Sequence, residues 1–229
     1  MLKKSTLELI NDKNNFKEVF SACIGISYLY QERFIKYIWK YSRWDTDVTE
    51  GYLKLDDKTY DVEYIGTTSD GDNYWFSADV EKVIPEKYVQ TIVAVKDKMK
   101  KLGFDNLSKS KIELTEKNMG YKLSMIYLAM CEENVAYFCG SGQPFIYMFV
   151  KNIPDTIFES MKSSEISGII LEIISIFDVD HRIMVKALLN ESGCTYEEKA
   201  DSMTVNLPNG SLFNIYFEND ILATIEGNL

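Results

Sequence analysis

Between Phe16 and Trp44 the apolar residues Phe16, Val19, Phe20, Cys23, Ile26, Tyr30, Phe34, Tyr37, Ile38 and Tyr41 recur at steps of three and four. That spacing predicts one long helix with a single buried face. Its aromatic members read as core rather than as a ligand box, because aromatic side chains at helical spacing bury area against neighbouring elements.

After Gly51 the period changes to two. Tyr60, Val62 and Tyr64 alternate with Asp61 and Glu63, as in a strand with one wet face, and Tyr52 to Leu55 would pair with it across Asp56-Asp57-Lys58. Gly66 to Asn73 reads as a loop and Tyr74-Trp75-Phe76 as a third strand. Pro85 opens a helix with Tyr88, Ile92, Val95, Met99 and Leu102 on one face, ending at Gly103. Lys96, Lys98, Lys100 and Lys101 fall on its polar face, where cations complement the helix dipole without a phosphate. A further helix is expected from about Thr115, with Glu116 in its first turn, to Asn134. Val135–Cys139 and Phe145–Val150 are apolar at successive positions, which predicts central strands covered on both faces.

Pro154 is the strongest boundary signal in the chain. Beyond it come helical patterns over Ile157–Phe177, broken near Ser163-Ser164 and Gly168, and over about Asp180 to Glu191. Alternating strands follow, turning at Pro208-Asn209-Gly210 and Glu218-Asn219-Asp220. The expected class is α+β: an N-terminal antiparallel sheet packed by long helices over residues 1–154, then a smaller unit of helices and a β-meander over 155–229.

The shift in charge coincides with that boundary. Residues 1–154 hold 21 Lys and Arg against 22 Asp and Glu, whereas residues 155–229 hold 4 against 13, so most of the net −10 lies in the C-terminal third. A field of that sign repels nucleic acid and anionic lipid and attracts a basic protein. The opening residues lack an apolar signal core, and Ile169 to Phe177 falls short of the roughly 20 apolar residues that cross a bilayer, so a cytoplasmic protein without membrane contact is expected. Cys23, Cys131, Cys139 and Cys194 form no CxxC pair and read as reduced core thiols.

A catalytic triad needs a histidine, and the chain has one, His181, in Asp178-Val179-Asp180-His181. These residues could orient an imidazole or share a metal; they equally suit a helix N-terminus, where carboxylates offset the dipole. Asp70-Gly71-Asp72-Asn73 lacks the spacing of a calcium loop and reads as a turn. GxGxxG, GxxxxGK[ST] and GxSxG do not occur, so no cofactor is expected.

Ile65-Gly66-Thr67-Thr68-Ser69, Tyr74 to Asp79 and Ile84-Pro85 stand in an order that resembles an uncharacterised bacterial domain-of-unknown-function family, over about residues 15–154. The chain departs from that pattern at Asp79, where the family's Trp-centred strand ends in Ala-Asn. The resemblance implies one N-terminal unit with an acidic appendage, brings no established activity, and directs attention to Trp44, Trp75 and Asp79. Three readings follow. The leading one is a non-enzymatic interaction protein of immunity or regulatory type that binds a basic partner through its acidic unit, with Asp178, Asp180 and His181 as candidate contacts. The alternative is an enzyme or small-ligand binder with a pocket beside the Trp75 strand. The third is oligomerisation through the edges of the meander.

Overall fold

Helices and antiparallel strand pairs alternate along the chain in the computed structural model, which describes residues 2–68, 73–116, 119–140 and 144–227. The class is α+β, as expected. Contacts gather into two compact units, one of residues 30–158 and one of residues 2–29 together with 159–229. The upper edge of the first unit lies near Pro154, but the N-terminal residues count with the C-terminal ones. Helix α1 (Lys4–Leu7) belongs to the second unit, and helix α2 (Phe16–Ile38) contributes residues to both.

In the first unit, α2 stops at Ile38, short of the expected Trp44. The backbone N–H groups of Ser42 and Arg43 donate to the Asp56 carboxylate at 3.1 and 3.0 Å, a side-chain acceptor that competes with continued helix. Trp44 instead opens strand β1 (Trp44–Asp47). It pairs with β2 (Tyr52–Leu55), which pairs with β3 (Lys58–Thr68). The last residues of β3 pair with β4 (Tyr74–Ser77), which pairs with β5 (Lys111–Glu113).

Helix α3 (Gln90–Lys101) follows a short 3-10 turn after Pro85 and ends before Gly103, whose φ of +85° closes it. Helix α4 begins at Gly120 rather than near Thr115 and runs to Met130 (Gly120–Met130). Strands β6 (Ala136–Gly140) and β7 (Phe145–Val150) pair with each other, and β7 also pairs with β3. Thus β7 is central, whereas β6 is an edge strand among the described residues. Gln31 covers that edge as a strand would: its amide donates to the Tyr137 carbonyl at 2.9 Å and accepts from the Tyr137 N–H at 3.3 Å. The register slips between Tyr64 and Gly66 opposite β7, a bulge that bends β3 where it passes from β2 to β4.

The second unit holds α5 (Ser163–Ile176), α6 (His181–Glu191) and a four-stranded meander of β8 (Thr195–Glu198), β9 (Ser202–Asn206), β10 (Leu212–Glu218) and β11 (Ile221–Gly227). Val19, Phe20, Cys23 and Ile24 of α2 are buried with Ile170, Leu188, Val205 and Ile215 in its core. At Gly25 the chain passes close to α6: a Cβ there would lie 2.9 Å from a Leu188 methyl. Among the described residues no helix is long and apolar enough to cross a membrane.

Candidate functional site

Within the first unit, Trp44, Trp75 and Asp79 do not gather into one site. Trp75 is fully buried, its ring lying over Gly66, where an added Cβ would come within 2.4 Å of the indole, and against Tyr127 and Tyr147. Among the described residues its indole N–H has no hydrogen-bond partner, so the backbone acceptor that a buried Trp ordinarily finds is missing. Trp44 is half-buried, edge-on to Phe138 and over Gly140. Asp79 accepts two 2.8 Å hydrogen bonds from the Lys96 ammonium, which also reaches the Ser110 and Ser77 hydroxyls at 2.9 and 3.3 Å. Lys96, expected on the polar face of its helix, is 7% exposed because this cluster takes it inward. Burial pushes the Asp79 carboxyl up, but the hydrogen bonds from Lys96 and Ser77 and the Lys96 charge outweigh it and hold the group below its ordinary value.

In the second unit Asp180 caps α6, its carboxylate accepting from the Ile183 N–H at 2.9 Å, and Asp178 pairs with Lys17. His181 is not poised as a base, since its Nδ1 accepts the Leu222 N–H of β11 at 3.0 Å. Burial first, then the Lys17 charge, lowers its pKa against the opposite pull of Asp180 and Asp178. Asp70, Gly71 and Asp72 of the expected turn lie outside the described residues. No three His, Cys, Asp or Glu side chains gather as a metal site would need, among the described residues.

Among the described residues, two open features bear most directly on binding. The first is the outer face of the C-terminal sheet. Alternation sends Met203, Val205, Phe213, Ile215 and Phe217 inward and leaves the opposite face uncovered. Register places Glu197, Thr204, Asn214 and Glu226 in one row across all four strands, with Leu212 and Tyr216 exposed beside it. None of the four strands carries a Lys or Arg. The carboxylates on the other side are engaged, Glu198 with Arg182 and Lys186 and Asp220 with Arg182.

The second is a cleft of about 550 Å³ in the first unit, at the ends of β3, β6 and β7 and the start of α4. Thr68, Tyr147, Phe145 and Cys139 of the sheet, Leu114 to Glu116, and Met119 to Tyr121 at the start of α4 surround it. Burial, then the nearby Cys139, pushes the Tyr147 phenol up to about 12, so it stays protonated at neutral pH. Neither Trp75 nor Asp79 lines this cleft; Asp79 borders a shallower groove with Val80 and Val93.

Two further features escaped the sequence reading. Glu63, in the middle of β3, accepts the Thr91 N–H at 2.6 Å and so caps α3 from a distance, while Lys151 bridges it to Glu133. Its alternation with Tyr60, Val62 and Tyr64 placed it on a wet face, and no local pattern could disclose those partners. Trp39 stands 82% exposed just after α2, off the apolar stripe, and that offset was the available signal.

A model of a family described as a family of unknown function (DUF6882) matches residues 17–153. No curated protein and no solved structure matches the chain.

Proposed function

The chain belongs to this family of unknown function, and we propose that it is a non-enzymatic interaction protein that meets a basic protein partner on the outer face of its C-terminal sheet. The row Glu197-Thr204-Asn214-Glu226 carries this reading. Its two carboxylates, Glu197 and Glu226, stand exposed at the ends of the row, and none of the four strands carries a cation. Leu212 and Tyr216 supply apolar contact next to it, the combination of charged rim and apolar or aromatic anchor by which protein surfaces associate. The candidate contacts Asp178, Asp180 and His181 give way in this reading to Glu197, Glu218 and Glu226, since the former are occupied by Lys17, a helix cap and a strand N–H. Cys23, Cys131 and Cys194 are free and buried, which suits a protein working in a reducing cytoplasm.

The test is capture of partners by the purified chain at about 0.05 M and about 0.5 M salt, since the screening length falls steeply over that range. A basic protein retained at low salt and released at high salt is expected, with retention lost in a Glu197→Lys, Glu226→Lys double variant. Equal retention by the variant, or no basic protein at low salt, overturns the reading.

A further inference from the structure

A cluster of phenols and ammonium groups at the end of α2 lies in the first unit and plays no part in the interaction reading. Tyr37 belongs to the stripe that predicts the buried face of α2, yet it is only half-buried, its ring edge-on to that of Tyr60 at 6.4 Å. Lys58 and Tyr60, alternate residues at the start of β3, meet it there.

Two donors converge on the Tyr37 oxygen. The Lys58 ammonium donates to it in an exposed hydrogen bond, and the Tyr60 hydroxyl donates to it at 3.1 Å. Lys58 also lies 5.0 Å from the centres of the Tyr37 and Tyr60 rings, and Lys40 lies 5.4 and 5.2 Å from those of Tyr37 and Tyr41. Donation to an oxygen favours its anionic form, and so does a cation beside it. Burial pushes the Tyr37 phenol up, but the hydrogen bonds from Lys58 and Tyr60 and the charges of Lys58 and Lys40 outweigh it and hold the group below its ordinary value. Tyr60 moves the other way, raised by burial and then by its hydrogen bond to Tyr37. The two rings therefore divide the roles: Tyr60 keeps its proton and donates, and Tyr37 ionises first. Lys58 stays an ammonium, its pKa raised by the hydrogen bond to Tyr37, so it supports the phenolate and does not compete as a free amine. A surface phenol activated in this way is a nucleophile.

We propose that Tyr37 is a site of covalent O-acylation by activated acyl donors, acyl groups carried on a good leaving group. The Tyr37 oxygen attacks the carbonyl carbon and forms the C–O bond of a phenyl ester. The bond from that carbon to the leaving group breaks, and the group departs with the electron pair. The phenol proton passes through water to the departing group, and the exchange needs no oxidant or reductant.

Brief treatment of the full chain with N-acetylimidazole at neutral pH, followed by digestion and mass spectrometry with and without hydroxylamine, tests the proposal. Hydroxylamine cleaves phenyl esters and spares lysine amides, so the two products are told apart. Tyr37 is expected to acetylate about tenfold faster than the exposed Tyr216, and this ratio needs no variant. Lys58→Met is expected to lower the Tyr37 rate about tenfold, and Lys58→Arg to restore most of it, since a guanidinium keeps the charge and a donor. Lys40→Met, which removes the second charge, is expected to lower the rate about threefold. Lys40 and Lys58 are exposed, so unchanged melting curves are expected and a slower rate reports on the Tyr37 oxygen. A Tyr37 rate no greater than that of Tyr216, or one unmoved by Lys58→Met, overturns the proposal.

Discussion

Asp79 and Lys96 show how a side chain that resembles a site residue is consumed by structure. The pair is 17 residues apart in sequence, and the ammonium has the carboxylate and two serine hydroxyls around it. Asp79→Ala leaves a buried cation without its counter-charge and is expected to cost about 3–5 kcal/mol of stability, measured by chemical denaturation. A Lys96→Met change made on top of it should recover part of that loss, because the orphaned charge is gone. Recovery of nothing would mean that the cluster's worth lies in packing alone. Gly66 is the second such residue. A methyl group there meets the Trp75 ring at 2.4 Å and the Phe76 carbonyl oxygen at 2.5 Å, so Gly66→Ala is expected to destabilise the first unit by about 3 kcal/mol. A thermal melt unchanged by the substitution would show that β3 can move away from the indole. The burial of Trp75 was readable from its place in an aromatic run; the unpartnered N–H was not, because hydrogen-bond partners of a strand residue come from elements distant in sequence.

At the scale of elements, strong periodicity survived folding and short or boundary segments did not. Most of the long stripe from Phe16 became α2, and the Asn-Gly and Asn-Asp turns set the meander, where Asn219 and Asp220 both take positive φ. Strand β5 spans three residues, too few to show alternation, and exists because β4 offers it an edge. The first turn expected from Thr115 is displaced to Gly120, where the chain packs against Tyr147. A pH dependence belongs to this scale as well. His181 holds β11 to α6 by accepting the Leu222 N–H, which requires a neutral Nδ1, and its folded pKa is depressed below the ordinary 6.5. The unfolded chain therefore binds the proton more readily. The contribution is complete above pH 6.5 and is lost as pH falls through the lower folded value. Hydrogen exchange at the Leu222 amide should accelerate over that interval beyond the intrinsic trend. His181→Gln should remove the pH dependence, and an acceleration that persists in the variant would assign it to another group.

For the molecule as a whole, the charge step at Pro154 located the acidic unit but concealed what completes it. The sequence from residue 155 onward reads as a self-contained set of helices and strands. Its core nevertheless includes Val19, Phe20 and Ile24, all fully buried, with Lys3 closing the C-terminus of α6 by donating to the Asn190 carbonyl at 2.7 Å. Apolar periodicity identifies a buried face; it does not say which distant segment that face will meet. At about 1.5–3 kcal/mol for each large buried side chain, those three residues supply an amount on the scale of the ~5–15 kcal/mol that stabilises an entire domain. A fragment of residues 155–229 is therefore expected to be unfolded on its own, with a collapsed amide dispersion in its NMR spectrum and no cooperative melt. Addition of a peptide covering residues 2–29 should restore dispersion, because it returns both the apolar stripe and the Lys3 cap. A cooperative melt of the 155–229 fragment without the peptide would show instead that the acidic unit is a domain in its own right and that the N-terminal segment is only docked upon it.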